Sequence, residues 1–220
     1  SPLLLIGGGV LPLLLLGGVG LMLMMVMKSG DQLIDSARDA YESGSYSQAR
    51  DEYETFVEDF SGHTRWSEAR VALTVVKIRQ LTETSGDWSR ALAVSQEEIP
   101  QIEDEEAFAQ RRGEFASLLP KIARGLAEKA EAKSESSDGT DEALTQEIDT
   151  LVSEAREALT LIGNTKYVPK SQRDSGGLAD IEALLDRVGR RREAIAKLAE
   201  AIGKIDTSAG GGDIANPYGV

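Results

Sequence analysis

Few residues in this sequence have the type and spacing that acid–base or metal chemistry requires. His63 is the only histidine, and no nucleophile or acid partner is indicated for it, which favours a turn or capping role over catalysis. The acidic run at residues 103–106 could supply oxygen ligands to a metal ion. Consecutive side chains point in different directions on a helix, however, and no histidine or second acidic cluster has matching ligand spacing. We therefore interpret this run, with Ile102, as the opening of a helix, where carboxylates favour the positive end of the dipole.

Other chemical signatures are missing from the sequence. It contains no phosphate-binding loop, dinucleotide fingerprint, Gly-x-Ser-x-Gly elbow or His-Glu-x-x-His motif. It has no cysteine, which excludes disulfides, thiolate zinc sites and cysteine nucleophiles. The net charge of −13 argues against binding to duplex nucleic acid, because neutralising phosphates requires surplus Lys and Arg. We predict a protein that is not an enzyme, with no cofactor and no metal.

The amino-terminal stretch predicts a membrane anchor at residues 1–28. No charged side chain occurs before Lys28, and residues 3–27 are long enough to cross roughly 30 Å of hydrocarbon as a helix. A buried core helix would have a polar face, which this stretch lacks. A secretory signal peptide is the other alternative, but the length of the run and the lack of a basic leader or Ala-x-Ala exit favour an uncleaved anchor.

The first residue and the charge balance indicate how the chain begins and how it is attached to a membrane. The chain begins at Ser1, at the predicted membrane boundary, which indicates a fragment or a processed product. A single anchor followed by an acidic body predicts a single-pass membrane protein with its amino end in the cytoplasm and its soluble part on the other side of the membrane. Lys28 is the one flanking cation, so the positive-inside rule contributes little here.

Residues 33–60 predict two short amphipathic helices around a tight turn. Small residues at Ala37 and Ala49 allow close helix approach, and aromatic residues recur at spacings of three, four and seven. Gly44 is expected to adopt the left-handed conformation that ends the first helix. Ser47 is expected to cap the second helix.

This pattern resembles the tetratricopeptide repeat. The matching positions are Leu33, Ala37, Tyr41, Gly44, Tyr46, Ala49, Tyr53 and Phe56, and Ser61 stands where the repeat usually has proline. The resemblance implies a helical hairpin that mediates protein interactions and that needs neighbouring repeats to bury its faces.

An internal repeat extends the resemblance to about Ala91. Residues 85–91 repeat residues 43–49 at an offset of 42, with glycine, aromatic, serine and alanine in the same places. The second copy is degenerate, since Glu98 replaces a small packing residue and Pro100 is expected to cut the helix short. The long offset is similar to that of tetratricopeptide-type proteins of bacterial envelope assembly, namely those of outer-membrane assembly and of Tol-Pal coordination. This resemblance implies a protein of a bacterial inner membrane with its soluble part in the periplasm.

The remaining chain predicts further helices and a boundary. A third helix is expected from Trp66 to Thr82, and helical sequence after residue 102 continues to about Lys133, with Pro120 at a break or in a first turn. Both tryptophans, Trp66 and Trp88, are interpreted as packing residues rather than ligand-stacking platforms. The predicted domains are a repeat domain at 29–133 that starts with a polar hinge at 28–31, a linker at 134–141, a long helical hairpin at 142–206 and a flexible tail at 207–220.

Apolar residues at heptad-like spacing define the predicted antiparallel hairpin, whose helices are joined by a loop at residues 163–177. Its two stripes are Leu144, Ile148, Leu151, Ala155, Ala158 and Ile162, and then Ile181, Leu184, Val188, Ile195, Leu198, Ile202 and Ile205. A basic cluster lies within the second stripe, at Arg187, Arg190, Arg191 and Arg192. Ion pairing with nearby acids is favoured for this cluster over contact with anionic lipid or an acidic partner.

The sequence therefore predicts an all-α, membrane-anchored adaptor or scaffold that binds an unidentified protein partner. In tetratricopeptide-like repeats the first helix of each pair lines the concave face, so the resemblance implies partner contacts at Asp35, Arg38, Asp39, Lys77 and Arg79. The bilayer would be a second partner, through residues 3–27. The alternative is a structural stalk or accessory subunit of a larger membrane complex or multidomain chain.

Overall fold

A computed structural model describes residues 29–173 and 177–209, and within these residues every regular element is helical. The all-α prediction is confirmed for this part of the chain. The first helix, α1, covers residues 29–42. The elements that follow are α2 (Tyr46–Asp59), α3 (Trp66–Gln80), a π-helical turn (Leu81–Ser85), α4 (Trp88–Ile102), α5 (Phe108–Ser136), α6 (Glu142–Gly163), α7 (Lys170–Arg173) and α8 (Leu178–Ala209).

The predicted anchor at residues 1–28 and most of the predicted tail lie outside the described residues. Among the helices at 29–173 and 177–209, none combines the length and the apolar character needed to cross a membrane. Residues 207–209, predicted as tail, belong to α8.

The turn between α1 and α2 confirms one local prediction and corrects another. Gly44 has φ of 80°, in the left-handed region, and the Ser45 amide donates to the Ala40 carbonyl at 2.8 Å. Ser47 was expected to cap α2, but the helix begins at Tyr46 with Ser45 at the capping position, and the Ser45 side chain makes no capping bond. The backbone bonds of the left-handed turn already fix the start of α2, so Ser47 lies inside its first turn.

The core of the first three helices forms around the small and aromatic residues of the repeat-like pattern. Ala37 and Ala49 are fully buried, as are the rings of Tyr53 and Phe56. Residues of α3 complete the cluster, so the first helical pair shares its core with a third helix. The full cluster comprises Ile34, Ala37, Ala40, Ala49, Tyr53, Phe56, Ala69, Ala72, Leu73 and Val76.

Two polar stretches have the opposite local structure to the predicted one. Ser29, Gly30 and Asp31, expected in a hinge, are helical. Gly30 packs so closely on the loop after α2 that an added Cβ would lie 3.0 Å from His63 Cδ2 and 3.1 Å from Phe60 Cδ1. Residues 103–106, expected with Ile102 to open a helix, form turns between α4 and α5, and Ile102 ends α4 instead. There Glu105 pairs with Arg70 of α3, an interaction between distant residues that a local pattern cannot reveal.

Pro100 and Pro120 both lie within helices. Pro100 was expected to cut α4 short, yet α4 continues to Ile102. Pro120 lies in the interior of α5 and neither breaks it nor marks its first turn. The neighbouring Leu119 and Ile122 are fully buried, and burial of this apolar face offsets the lost backbone hydrogen bond.

Two compact units divide the chain, and their boundaries run through α4 and α5. Among the described residues, the first unit comprises 29–85 and 93–114, and the second comprises 86–92, 115–173 and 177–209. The predicted boundary at 134–141 lies inside the second unit. Residues 134–136 belong to α5 there, and only 137–141 form a connection between helices.

In the second unit, α5 and α8 run parallel in a constant register. The pairs are Arg124 with Asp180 (3.7 Å), Glu131 with Arg187 (2.7 Å) and the Glu135 carbonyl with Arg191 (3.0 Å). Each pair joins residues 56 positions apart, and steps of seven and four along both helices indicate heptad-type packing. The chain reaches α8 through α6, which is tied to α5 by Lys133 and Glu147 at 2.7 Å. The predicted hairpin of α6 and α8 is therefore part of a three-helix bundle.

The bundle buries most of the predicted stripe on α6 and the first part of the predicted stripe on α8. On α6 the buried residues are Ile148, Leu151, Ala155, Ala158 and Ile162, and on α8 they are Ile181, Leu184, Leu185 and Val188. The predicted interhelix loop contributes too, since Tyr167 and Val168 are buried. Of the basic cluster, Arg187, Arg191 and Arg192 bond to groups on α5 and α6, which supports the ion-pairing interpretation.

Candidate protein-docking face

The candidate site lies in the first compact unit, where charged side chains of α1, α3 and α5 meet. On α5, Arg111 and Glu114 are three residues apart and therefore project from the same side of the helix. Arg65 and Glu68 have the same spacing at the start of α3, and their side chains bond at 2.8 Å. We call the exposed or half-buried set of Asp35, Arg38, Tyr41, Arg65, Glu68, Arg79, Arg111 and Glu114 the arginine face.

Glu114 links all three helices at one end of the arginine face. Its Oε2 accepts a hydrogen bond from the Tyr41 hydroxyl of α1 and another from Arg79 Nη2 of α3 at 3.4 Å. Its Oε1 accepts from Arg111 Nη1 at 2.9 Å. Burial, and then the hydrogen bond to Glu114, raise the pKa of the Tyr41 hydroxyl, so that the phenol remains a donor.

The ring of Tyr41 carries two cations. The guanidinium carbons of Arg79 and Arg111 lie 5.3 and 5.8 Å from the ring centroid, within cation–π range. Arg79 also approaches Glu83 at 3.5 Å, and Glu83 accepts from the Tyr46 hydroxyl at 2.8 Å. Burial, followed by this hydrogen bond, raises the pKa of Tyr46. The tyrosines therefore help to fix the positions of Arg79 and Arg111, whose side chains are 24% and 17% exposed.

Arg65 organises the other end of the arginine face. Its Nη1 lies 2.8 Å from Asp35 Oδ1, and its Nε lies 2.8 Å from Glu68 Oε2, so one guanidinium joins α1 to α3. Asp35 also pairs with Arg38 at 3.2 Å on its own helix. The hydrogen bond from Arg65 lowers the pKa of Asp35 and that of Glu68.

The charged groups at the two ends of the arginine face interact with one another. Besides Arg65, the charges of Arg111 and Arg38 lower the pKa of Glu68, so that cations of α1 and α5 both reach this carboxylate. Beneath them lies Tyr53, which is fully buried and whose hydroxyl has no hydrogen-bond partner among the described residues. Burial raises the pKa of Tyr53, so the phenol stays neutral under the charged layer.

The structure brings three of the five predicted contact residues onto the arginine face and places two elsewhere. Asp35, Arg38 and Arg79 belong to the face. Asp39 lines a shallow groove of about 510 Å³ between α1 and α2. Lys77 faces α4, with its Nζ 2.9 Å from Glu98 Oε1 and 3.9 Å from Glu54 Oε1.

The groove that contains Lys77 explains how the degenerate repeat accommodates Glu98. This groove, of about 220 Å³, is lined by residues of α2, α3 and α4. Glu98 replaces a small packing residue, and it accepts hydrogen bonds from Thr74 Oγ1 at 3.0 Å and from Lys77 Nζ at 2.9 Å. Lys77 is therefore engaged in joining helices, unlike Arg38, whose side chain is 43% exposed.

Sequence patterns did not predict four members of the arginine face, and they indicated only a packing role for Tyr41. The four are Arg65, Glu68, Arg111 and Glu114. Their spacing of three residues within each pair was visible in the sequence. What was not visible is that residues 73 positions apart, such as Tyr41 and Glu114, meet.

No protein-family model, curated protein or solved structure matches this chain.

The remaining candidate residues, His63, Trp66 and Trp88, pack against other parts of the fold. His63 is 9% exposed in the loop after α2, where its Nδ1 accepts from the Arg65 amide at 3.2 Å and its ring meets Phe56 edge-on. Trp66 Nε1 donates to the Val57 carbonyl at 2.9 Å. Trp88 packs on Gly125, where an added Cβ would lie 2.3 Å from the indole. Across residues 29–173 and 177–209, no three His, Cys, Asp or Glu side chains are grouped to hold a metal ion.

Proposed function

We propose that this protein is a non-catalytic helical-repeat adaptor that binds a protein partner through the arginine face. Four arginines are gathered here in a chain whose net charge is −13, and each is held by one or more of five carboxylates. These carboxylates belong to Asp31, Asp35, Glu68, Glu83 and Glu114. The arginines are held by ion pairs and by the Tyr41 ring, so that little ordering remains to be done on binding. Guanidinium groups held in a fixed geometry suit carboxylates on a partner surface, and Arg38, whose side chain is 43% exposed, is the most accessible of the four. This concentration of pre-positioned arginines is the observation that supports the proposal.

The proposal includes a tether to a bacterial inner membrane, with the soluble part in the periplasm. Its support is the uncharged run at residues 3–27 together with the acidic body that follows. A tetratricopeptide-like arrangement of α1 to α4 is likewise part of the proposal. It is supported by the buried small residues Ala37 and Ala49 and by the left-handed Gly44.

A charge reversal at Arg38 provides the direct test. The ion pair of Arg38 is with Asp35 on the same helix, so Arg38→Glu changes the charge of the face without removing an ion pair between helices. We expect it to reduce recovery of the bound partner from native membranes by at least about tenfold, which corresponds to about 1.4 kcal/mol. The matched control is Lys129→Glu, the same reversal at an exposed position of α5 in the other unit.

Lys77→Glu separates the two candidate surfaces. If the arginine face is the docking site, Lys77→Glu retains the partner that Arg38→Glu loses. Loss of the partner with Lys77→Glu alone would transfer the site to the groove between α3 and α4. Retention of every partner by Arg38→Glu would refute the proposal.

The alternative, an accessory subunit of a larger membrane complex, has one observation in its favour. Leu198 and Ile202 on α8 are 62% and 52% exposed, and large apolar groups in such a position are typical of subunit contacts. A stoichiometric complex that survives purification would support this alternative, whereas exchangeable partners would support the adaptor.

A further inference from the structure

The end of α8 extends past the bundle that covers its beginning. The register of 56 residues places Ser136, the last residue of α5, opposite Arg192 of α8. Helix α8 continues to Ala209, a further stretch of about 25 Å at 1.5 Å per residue. The Gly139 turn still covers Ile195, because an added Cβ at Gly139 would lie 2.2 Å from Ile195 Cγ2. Beyond that point Leu198 and Ile202 are 62% and 52% exposed.

The uncovered residues continue the apolar pattern of the buried part. Ile195, Leu198 and Ile202 are spaced by three and four, and Ile205 is the next residue of this pattern in the sequence. This is the a and d spacing of a coiled coil, with isoleucine at a and leucine at d at the first layers. That combination favours two parallel strands.

The charged residues of the segment are confined to its outer side. Lys197 pairs with Glu193 at 2.7 Å and Lys204 pairs with Glu200 at 2.6 Å, and all four occupy the c and f positions of the heptad. The flanking e and g positions hold alanine, at Ala194, Ala199 and Ala201. The segment is therefore neutral in a strongly acidic chain, and its cations and anions are already paired within the helix.

The neutral apolar stripe of α8 fits a second copy of the same chain best. A partner recognised by opposite charge would find the four charges at residues 193–204 already paired within the helix. Two copies of this chain carry the same net charge of −13, and a neutral segment is a place where they can meet without charge repulsion. We propose that residues 193–205 of α8 form a parallel two-stranded coiled coil with the same segment of a second copy. The protein would then present two arginine faces, which would strengthen binding to a repeated partner through avidity. The dimer itself does not depend on the proposed function.

Paired serine substitutions on opposite sides of α8 test the dimer. The full chain is purified in a non-ionic detergent, and its mass is measured by light scattering and sedimentation over a dilution series. Leu198→Ser with Ile202→Ser is expected to raise the dissociation constant by at least about tenfold. Glu200→Ser with Lys204→Ser introduces the same two side chains at the same spacing on the outer side, and is expected to leave the dimer intact. Circular dichroism checks that both variants remain helical.

Crosslinking tests the parallel orientation. The chain has no cysteine, so Leu198→Cys gives a single thiol at a d position, which mild oxidation should link to its counterpart in the second copy. Glu200→Cys is the matched control, since it is similarly exposed but lies on the outer side. A wild-type chain that is monomeric at every dilution would overturn the proposal. So would a dimer that survives Leu198→Ser with Ile202→Ser, which would point to another contact such as the amino-terminal segment. Crosslinking of the Leu198→Cys variant to a different protein, in place of its own second copy, would overturn it as well.

Discussion

Tyr41 on α1 donates a hydrogen bond to Glu114 on α5, although 73 residues separate them in the sequence. Through the same carboxylate, Arg79 of α3 and Arg111 of α5 are held beside the Tyr41 ring. One acidic side chain thus positions two of the four arginines on the proposed docking face. The arrangement connects the stability of the first compact unit to the shape of its surface.

Replacing Glu114 by glutamine is expected to lower the free energy of unfolding by about 1–3 kcal/mol. The amide can still accept from Tyr41, but it leaves Arg79 and Arg111 without their shared countercharge at a site that is 26% exposed. Urea unfolding monitored by circular dichroism measures the change. The control is Glu182→Gln at an exposed position of α8, expected within about 0.5 kcal/mol of wild type. Equal stability of the two variants would show that Glu114 does not hold the helices together.

Two glycines of α5 should respond in opposite directions to the same substitution. Gly125→Ala would place a Cβ 2.3 Å from the Trp88 indole, and the resulting overpacking is expected to destabilise the protein by about 1–3 kcal/mol. At Gly113 a Cβ meets open space, so Gly113→Ala should stabilise the helix by up to about 1 kcal/mol. Thermal unfolding compares them, with Trp88 fluorescence reporting the local change. A stabilising Gly125→Ala would mean that the indole does not lie against this helix.

The carboxylates around Arg65 predict a loss of stability in acid. The pKa values of Asp35 and Glu68 are lowered in the folded protein from ordinary values of 3.8 and 4.5, mainly by hydrogen bonds from Arg65. Their contribution is therefore fully present above those ordinary values and is lost as the pH falls through the lowered pKa values. Arg65→Gln should return both pKa values toward normal and flatten this part of the stability profile. Carboxyl carbon NMR titration measures the pKa values directly, and an unchanged Glu68 titration in Arg65→Gln would contradict the assignment.

The proposed anchor predicts a clear fractionation result. The full chain should remain with membranes after alkaline carbonate extraction, because residues 3–27 would be buried in hydrocarbon. A chain that begins at residue 29 should be released into the supernatant. Full recovery of the complete chain in the supernatant without detergent would refute the tether, while leaving the arginine face and the α8 dimer to be judged by their own tests.

Local sequence patterns were sufficient where neighbouring residues decide the structure. Gly44 ends the first helix as expected, because its φ of 80° is one that most other residues do not adopt. The apolar stripe of α6 is visible because burial repeats every three or four positions along this helix. The same reasoning failed at Pro120, where the buried side chains beside the proline outweigh its effect on the backbone.

The sequence by itself determined that the chain is helical, which residues form the core of the first helices, and that a cysteine-free, strongly acidic body follows an uncharged amino terminus. Only the tertiary structure decided that Arg111 and Glu114 complete the surface begun by Arg38 and Arg79, that Lys77 faces a different groove, and that α5 joins α6 and α8 in a bundle. The physical reason is the separation in the sequence between the residues that interact. Periodicity depends on residues three or four positions apart, whereas the partner across a helix interface is set by the packing of segments that lie tens of residues away.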